Sequence, residues 1–142
     1  MLPDKINLAV VTPERHVLEE PVDSVEVPAK TGFLGILPGH APLLTELGIG
    51  LLTYKKGNAT KVLTVIHGFA EVLPDRVIIL AELSERAEEI NTARAQSAAE
   101  RARERLSTTT AGEEEWKTAS FSLERALVRL QATEKASGSP AS

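Results

Sequence analysis

Five arginines have types and spacings suited to chemistry. Arg94, Arg101 and Arg105 are separated by seven and four residues, and Arg125 and Arg129 by four, so each set falls on one face of a helix. If those faces meet, the guanidiniums converge into a cluster that recruits phosphates through charge-assisted, bidentate hydrogen bonds. The alternative is a solvated face on which Glu100, Glu104 and Glu124 offset them. The three histidines, His16, His40 and His67, stand singly, and a metal site would need further ligands beside them. His40 differs from the other two in lying within a Gly/Pro-rich loop. No Gly-rich phosphate loop of the P-loop kind, no Gly-x-Ser-x-Gly elbow and no His-Glu-x-x-His occurs, so a catalytic role is not expected. Asn58-Ala59-Thr60 matches a glycosylation sequon and reads here as a turn.

The elements that must position these residues fall into two compositional halves. With 142 residues, 42% of them apolar, the chain has material for one ordinary domain or two small ones. The absence of cysteine excludes disulfides and thiolate metal sites. A net charge of -4 argues against a broad nucleic-acid interface. Met-Leu-Pro-Asp-Lys lacks a basic region followed by an apolar one, and no apolar run approaches the ~20 residues that span a bilayer, so neither export nor membrane insertion is expected. Residues 1–83 hold seven of the eight prolines and seven of the nine glycines, whereas residues 84–142 hold 19 of the 36 charged residues. The break predicts a domain over 1–83, a second over 84–135, and a disordered tail of small polar residues over 136–142.

Before the break, short β-branched runs alternate with turn residues: 6–11, 16–20, 22–27, 51–55, 61–67, 69–73 and 77–83. That spacing predicts a β-sandwich or flattened barrel. Both faces of 62–67 are apolar, which suits a strand covered on both sides. After a charged connection, Asn91 is placed to cap a helix striped by Ala95, Ala98, Ala99, Ala102 and Leu106. Residues 108–112 interrupt it. Glu113, Glu114 and Glu115 favour a second N-terminus, and Trp116, Ala119, Leu123, Ala126, Leu127 and Leu130 form its stripe. The fold class is therefore mainly β plus α, a β-sandwich followed by an antiparallel helical hairpin. An alanine-lined seam buries little apolar area at roughly 25 cal/mol per Å², so the hairpin is suited to exchanging partners, or else to a permanent structural role.

Gly32 to Leu44 breaks the rule that loops are polar. Gly32, Gly35 and Gly39 permit positive φ, Pro38 and Pro42 fix the backbone, and Phe33, Leu34, Ile36 and Leu37 require burial. The stretch is either a contact surface or a buried connection between sheets. Gly35-Ile36-Leu37-Pro38-Gly39-His40-Ala41-Pro42-Leu43-Leu44-Thr45, with His67-Gly68-Phe69-Ala70-Glu71-Val72 further on, closely resembles the hallmark motifs of the epsilon subunit of F-type ATP synthases, bacterial or chloroplast in type.

The resemblance implies a non-catalytic central-stalk subunit whose β-sandwich meets the gamma subunit and the c-ring, and whose hairpin restrains ATP hydrolysis at the alpha and beta subunits of the catalytic head. Phe33, Leu34, Gly35, Pro38, Gly39, His40, Ala41 and Pro42 would form the rotor interface. The start of the first helix, Ile90-Asn91-Thr92-Ala93-Arg94-Ala95, is similar to the Ile-Asp-x-x-Arg-Ala motif with which some bacterial members bind regulatory ATP. Glu85, Ile90, Asn91, Arg94, Ala95, Arg125 and Arg129 would be that site, with Asn91 in place of the motif's aspartate. No cofactor beyond such ATP and no nucleic-acid partner is implied. The implied location is the cytoplasmic face of the bacterial plasma membrane, held there through the complex, with the thylakoid membrane as the alternative. The rival readings are a free-standing nucleotide-sensing module and a small sandwich enzyme.

Overall fold

The computed structural model describes residues 3–108 and 112–138. Seven strands, β1 (Ile6–Val11), β2 (His16–Val22), β3 (Ser24–Ala29), β4 (Gly32–Ile36), β5 (Leu43–Lys56), β6 (Ala59–Leu73) and β7 (Arg76–Leu83), form one sheet. Their order is β2-β1-β7-β6-β5-β3-β4, antiparallel throughout except for the parallel pair β1 and β7. The sheet folds over into a sandwich, bringing Lys56 of β5 to 2.9 Å from Glu20 of β2. Ile6, Leu8, Val10, Val27, Leu52, Leu63, Val65 and Ile79 fill its interior and are at most 1% exposed.

The long β5–β6 ribbon is the spine. Its strands close through a two-residue turn in which Gly57 has φ 60, the first-position geometry of a type II′ hairpin. The sequence reading broke β6 at Gly68, but the strand continues without a register shift through His67 at φ 53 and Gly68 at φ 128. Across this left-handed pair the inward face changes from Leu63 and Val65 to Ala70 and Val72. A Cβ on Gly68 would fall 1.9 Å from the carbonyl oxygen of Leu80, so only glycine fits.

The Gly32–Leu44 stretch also departs from the expectation of a loop. Gly32–Ile36 pairs with β3 as an edge strand, and Leu43 already belongs to β5, because the backbone of β3 offers ladder partners that outweigh the glycines' weak strand preference. Ile36 is buried and Leu34 half-buried, whereas Phe33 and Leu37 are each 66% exposed rather than buried.

Two helices follow. Asn91 caps α1 (Thr92–Thr108): its Oδ1 accepts from the Arg94 amide at 3.0 Å, as its side chain predicts. α2 (Glu113–Gly138) opens with three glutamates at its positive end. The hairpin seam is alanine, with Ala95, Ala99 and Ala102 of α1 and Ala119 and Ala126 of α2 buried, while Ala98 and Leu106 are half-buried. Trp116 does not join the buried stripe and is 54% exposed, whereas Val128 and Ala132 further along α2 are buried. Helix α2 packs on β5 and β6, and α1 packs mainly on α2. β6 is thereby covered on both sides over Val62–Ile66, by the sandwich core and by a second cluster of Val62, Ala87, Ile90, Ala95 and Ala132. Ala136–Gly138, expected to begin a disordered tail, continues α2, because adding a residue to an existing helix costs far less than nucleating one. Residues 139–142 of that expected tail, and residues 109–111 of the expected break, lie outside the described residues.

Candidate functional site

Two surfaces collect the residues singled out from sequence. The first is the end and outer face of the sandwich. Pro38 and Gly39, the latter at φ 88, form a tight turn closed by the His40 amide donating to the Leu37 carbonyl at 3.1 Å. The Gly39 amide donates to the Pro74 carbonyl at 2.8 Å, fastening this turn to the β6–β7 turn. His40 Nδ1 lies 2.6 Å from the carbonyl oxygen of Ala41, which places its proton on Nδ1. The turn is thus rigid while Phe33, Leu37, Ala41 and Pro42 face outward, with Gly35 also exposed and Pro38, Gly39 and His40 half-buried.

Sequence reasoning missed the apolar surface beside it. Phe69 and Leu80 are registered partners across β6 and β7, 51% and 54% exposed, and Leu44 on β5 is 69% exposed. Leu44 pairs with Glu71, Glu46 with Phe69, Glu71 with Ile78 and Phe69 with Leu80, while Ala70 and Ile79 between them are buried, so Leu44, Phe69 and Leu80 belong to the sheet's outer face. The run Val77-Ile78-Ile79-Leu80-Ala81 is apolar at every position, and no periodicity in it tells inside from outside.

The second surface is where the hairpin meets the sandwich. Glu85 and Arg129, expected in one site, are together: Arg129 Nη2 donates to Glu85 Oε2 at 3.2 Å. Arg129 Nε lies 2.8 Å from Oε1 without hydrogen-bond alignment, so that contact is Coulombic. Ile90 and Ala95 are also together, buried in the cluster under the hairpin. Asn91 is exposed and its Oδ1 is occupied by the cap. Arg94 and Arg125 are exposed; Arg125, Glu85, Arg15, Thr12, Thr64 and Ser84 line a cleft of about 220 Å³. Among the described residues, no ion pair within 4 Å joins Glu100, Glu104 or Glu124 to an arginine, so the solvated-face alternative holds only in that Arg94, Arg101, Arg105 and Arg125 are exposed.

Below that cleft runs a polar network that the sequence did not reveal. The charged connection after β7 clings to β6: Ser84 Oγ donates to the Thr64 carbonyl at 2.7 Å, the Thr64 amide to the Glu85 carbonyl at 2.9 Å, and the Glu85 amide to Thr64 Oγ1 at 3.0 Å. It ends in a 3-10 turn, Ala87–Glu89. Arg15, between β1 and β2, grips Glu89 with two bonds, Nη2 to Oε2 at 2.6 Å and Nη1 to Oε1 at 3.2 Å, and donates to the Ser84 carbonyl at 3.3 Å. Arg86 Nε adds a bond to Glu89 Oε1 at 2.9 Å. The bonds from Arg15, aided by Arg86, hold the Glu89 carboxyl below the usual range against the opposing effect of partial burial; the same pairing raises Arg15. His67 and Lys135 complete the docking, the one stacked on Phe121 of α2 and the other donating to Thr53 Oγ1 at 3.1 Å.

Known proteins match both halves. Residues 5–87 fit the family model described as the ATP synthase delta/epsilon chain β-sandwich domain, and residues 88–134 fit its long α-helix domain. The chain is 45% identical over 132 residues to an ATP synthase epsilon chain of Syntrophobacter fumaroxidans, spanning 93% of this chain and 98% of that one. Its likeness to the epsilon chain of Koribacter versatilis is 52% over 105 residues, 74% of each chain. A chain in the Euglena gracilis mitochondrial ATP synthase structure, which contains OSCP, F1 and c-ring, shares the fold with TM-score 0.80 at 24% identity, covering 95% of this chain and 84% of that one.

Proposed function

This chain belongs to the epsilon-chain family of F-type ATP synthases, and we propose that it acts in the central stalk by contact rather than by catalysis. Its sandwich seats on the rotor, the gamma subunit and c-ring, through the Phe33–Pro42 end and the outer face of Leu44, Phe69 and Leu80. The single observation that carries this reading is exposure: Phe33 at 66% and Leu44 at 69% are large apolar side chains on a backbone already fixed by ladder and turn bonds. Such a surface loses little freedom when covered, and covering it removes apolar area from water. Attachment is peripheral, through the complex, on the cytoplasmic side of the membrane; no described helix is long and apolar enough to cross one.

The hairpin restrains ATP hydrolysis by leaving its docked position and reaching the alpha and beta subunits, where Arg125 and Arg129 meet acidic surface. The shallow docking supports this: the cluster under the hairpin is built largely from alanine, and Arg129 is paired with a carboxylate that it exchanges on release. Regulatory ATP, competing with Glu85 for Arg129 and lacking the motif's aspartate at Asn91, binds more weakly than in members with the full motif. The test of the leading reading is assembly: Phe33→Asp and Leu80→Asp should each weaken recovery of the chain with gamma subunit and c-ring while its unfolding is unchanged. Undiminished assembly in both would remove this surface from the interface.

A further inference from the structure

We infer that Arg15 is the positioning residue that makes Ser84–Glu89 part of the sandwich in both states of the hairpin, so that the hinge lies at Ile90–Asn91 and not at the compositional break near Leu83. The inference rests on the reading of the hairpin as a releasable part. Three observations carry it.

First, the connection extends the sheet. Thr64 and Glu85 exchange backbone and side-chain bonds at 2.9 and 3.0 Å, Leu63 and Arg86 form a bridge, and Ser84 is 5% exposed with its hydroxyl bonded to Thr64. Breaking these bonds would leave the buried Thr64 amide without a partner. Second, the 3-10 turn at the end of the connection is held from the opposite side by Arg15, whose planar fork engages both carboxylate oxygens of Glu89 while Arg86 holds one of them. Arg15 belongs to the turn between β1 and β2, and so to the body of the sandwich. Third, the bonds that tie α2 to this assembly are separate ones made by α2 side chains: Arg129 to the Glu85 carboxylate rather than its backbone, Lys135 to Thr53, and Phe121 against His67. Undocking α2 breaks this second set and leaves the first intact. Ile90 and Asn91 are the first residues beyond the clamp, and Ile90 is extended at φ -84 and ψ 129.

Amide hydrogen exchange by NMR on the full chain separates the two sets of bonds. The reporters are the amides of Thr64, Glu85 and Ile90, and loss of the Phe121–His67 ring contact marks release of the hairpin. In Ala132→Glu, which puts a charge into the docking cluster, the ring contact should vanish while the reporters stay within about twofold of their native exchange. In Arg15→Gln the reporters should exchange roughly fivefold faster, and Arg15→Gln with Glu89→Gln should add little, as befits a coupled pair. If Ala132→Glu fails to fold, Phe121→Ala with Arg129→Gln removes the docking contacts without burying a charge. Reporters that open with the hairpin, or that are unmoved in Arg15→Gln, would overturn the inference. A failure of the regulatory reading shows elsewhere, as an unchanged hydrolysis rate in complexes lacking α1 and α2, with the exchange pattern intact.

Discussion

Phe121 of α2 stacks on the imidazole of His67, the two rings 12° from parallel with centroids 6.3 Å apart. His67 is also the non-glycine residue with positive φ among those described, at the point where β6 changes its inward face. The strand irregularity therefore has a visible consequence outside the sandwich: it turns the histidine outward beneath the helix. An offset aromatic pair contributes about 0.5–1.5 kcal/mol beyond the area it buries. Phe121→Ala should accordingly loosen the docked hairpin by about 1 kcal/mol or somewhat more, read as faster exchange of α2 amides with unaltered exchange in β1 and β7.

Gly68→Ala should destabilise the sandwich itself. The added Cβ meets the Leu80 carbonyl oxygen at 1.9 Å and the Ala81 Cα at 2.9 Å, both backbone, at φ 128 where L side chains are strained. A loss of roughly 3 kcal/mol or more is expected. The check is a lower urea midpoint with unchanged slope, and a midpoint equal to the native one would contradict the geometry.

The Arg15–Glu89 pair implies a pH signature. Glu89 titrates lower in the folded chain than in the unfolded one, so its contribution is complete above the ordinary carboxylate range and is lost as pH falls through the depressed folded value. The stability gap between the native chain and Glu89→Gln should therefore be constant near neutrality and close on acidification. A gap that persists in acid would mean that packing, not charge, holds the turn.

Removing the hairpin should raise ATP hydrolysis by the complex, and the place of the cut matters. Because Ser84–Arg86 occupies the edge of β6, a chain ending at Ile90 keeps the bonds of Thr64, whereas one ending at Leu83 exposes them. Both should relieve inhibition, with the shorter chain unfolding at lower denaturant. Hydrolysis unchanged by either cut would leave the helices a structural role.

Calorimetry on the isolated chain should show Asn91→Asp binding ATP about tenfold more tightly than the native chain, about 1.4 kcal/mol, since a carboxylate restores charge-assisted bonding that an amide lacks. Tight native binding that the substitution leaves unchanged would count against the proposal.

The sequence by itself determined the elements whose causes are local. Turn residues bounded the strands, Asn91 capped α1 through its own side chain, the alanine spacing marked the hairpin seam, and the two motif stretches pointed to the family. The tertiary structure decided what depends on partners distant in sequence. Gly32–Ile36 is a strand because β3 offers it a ladder. Leu80 faces out, and Ile79 in, because the register with β6 sets their faces. Arg15 meets Glu89 across 74 residues because the β1–β2 turn and the connection after β7 reach the same end of the fold. Among the arginines, α-helical spacing fixed which share a face, but only the docking of α2 on β5 and β6 settled that Arg129 is committed to Glu85 while Arg94 and Arg125 remain exposed. Helical and turn signals act within a few residues of chain, whereas burial and ion pairing depend on which surfaces the fold brings together.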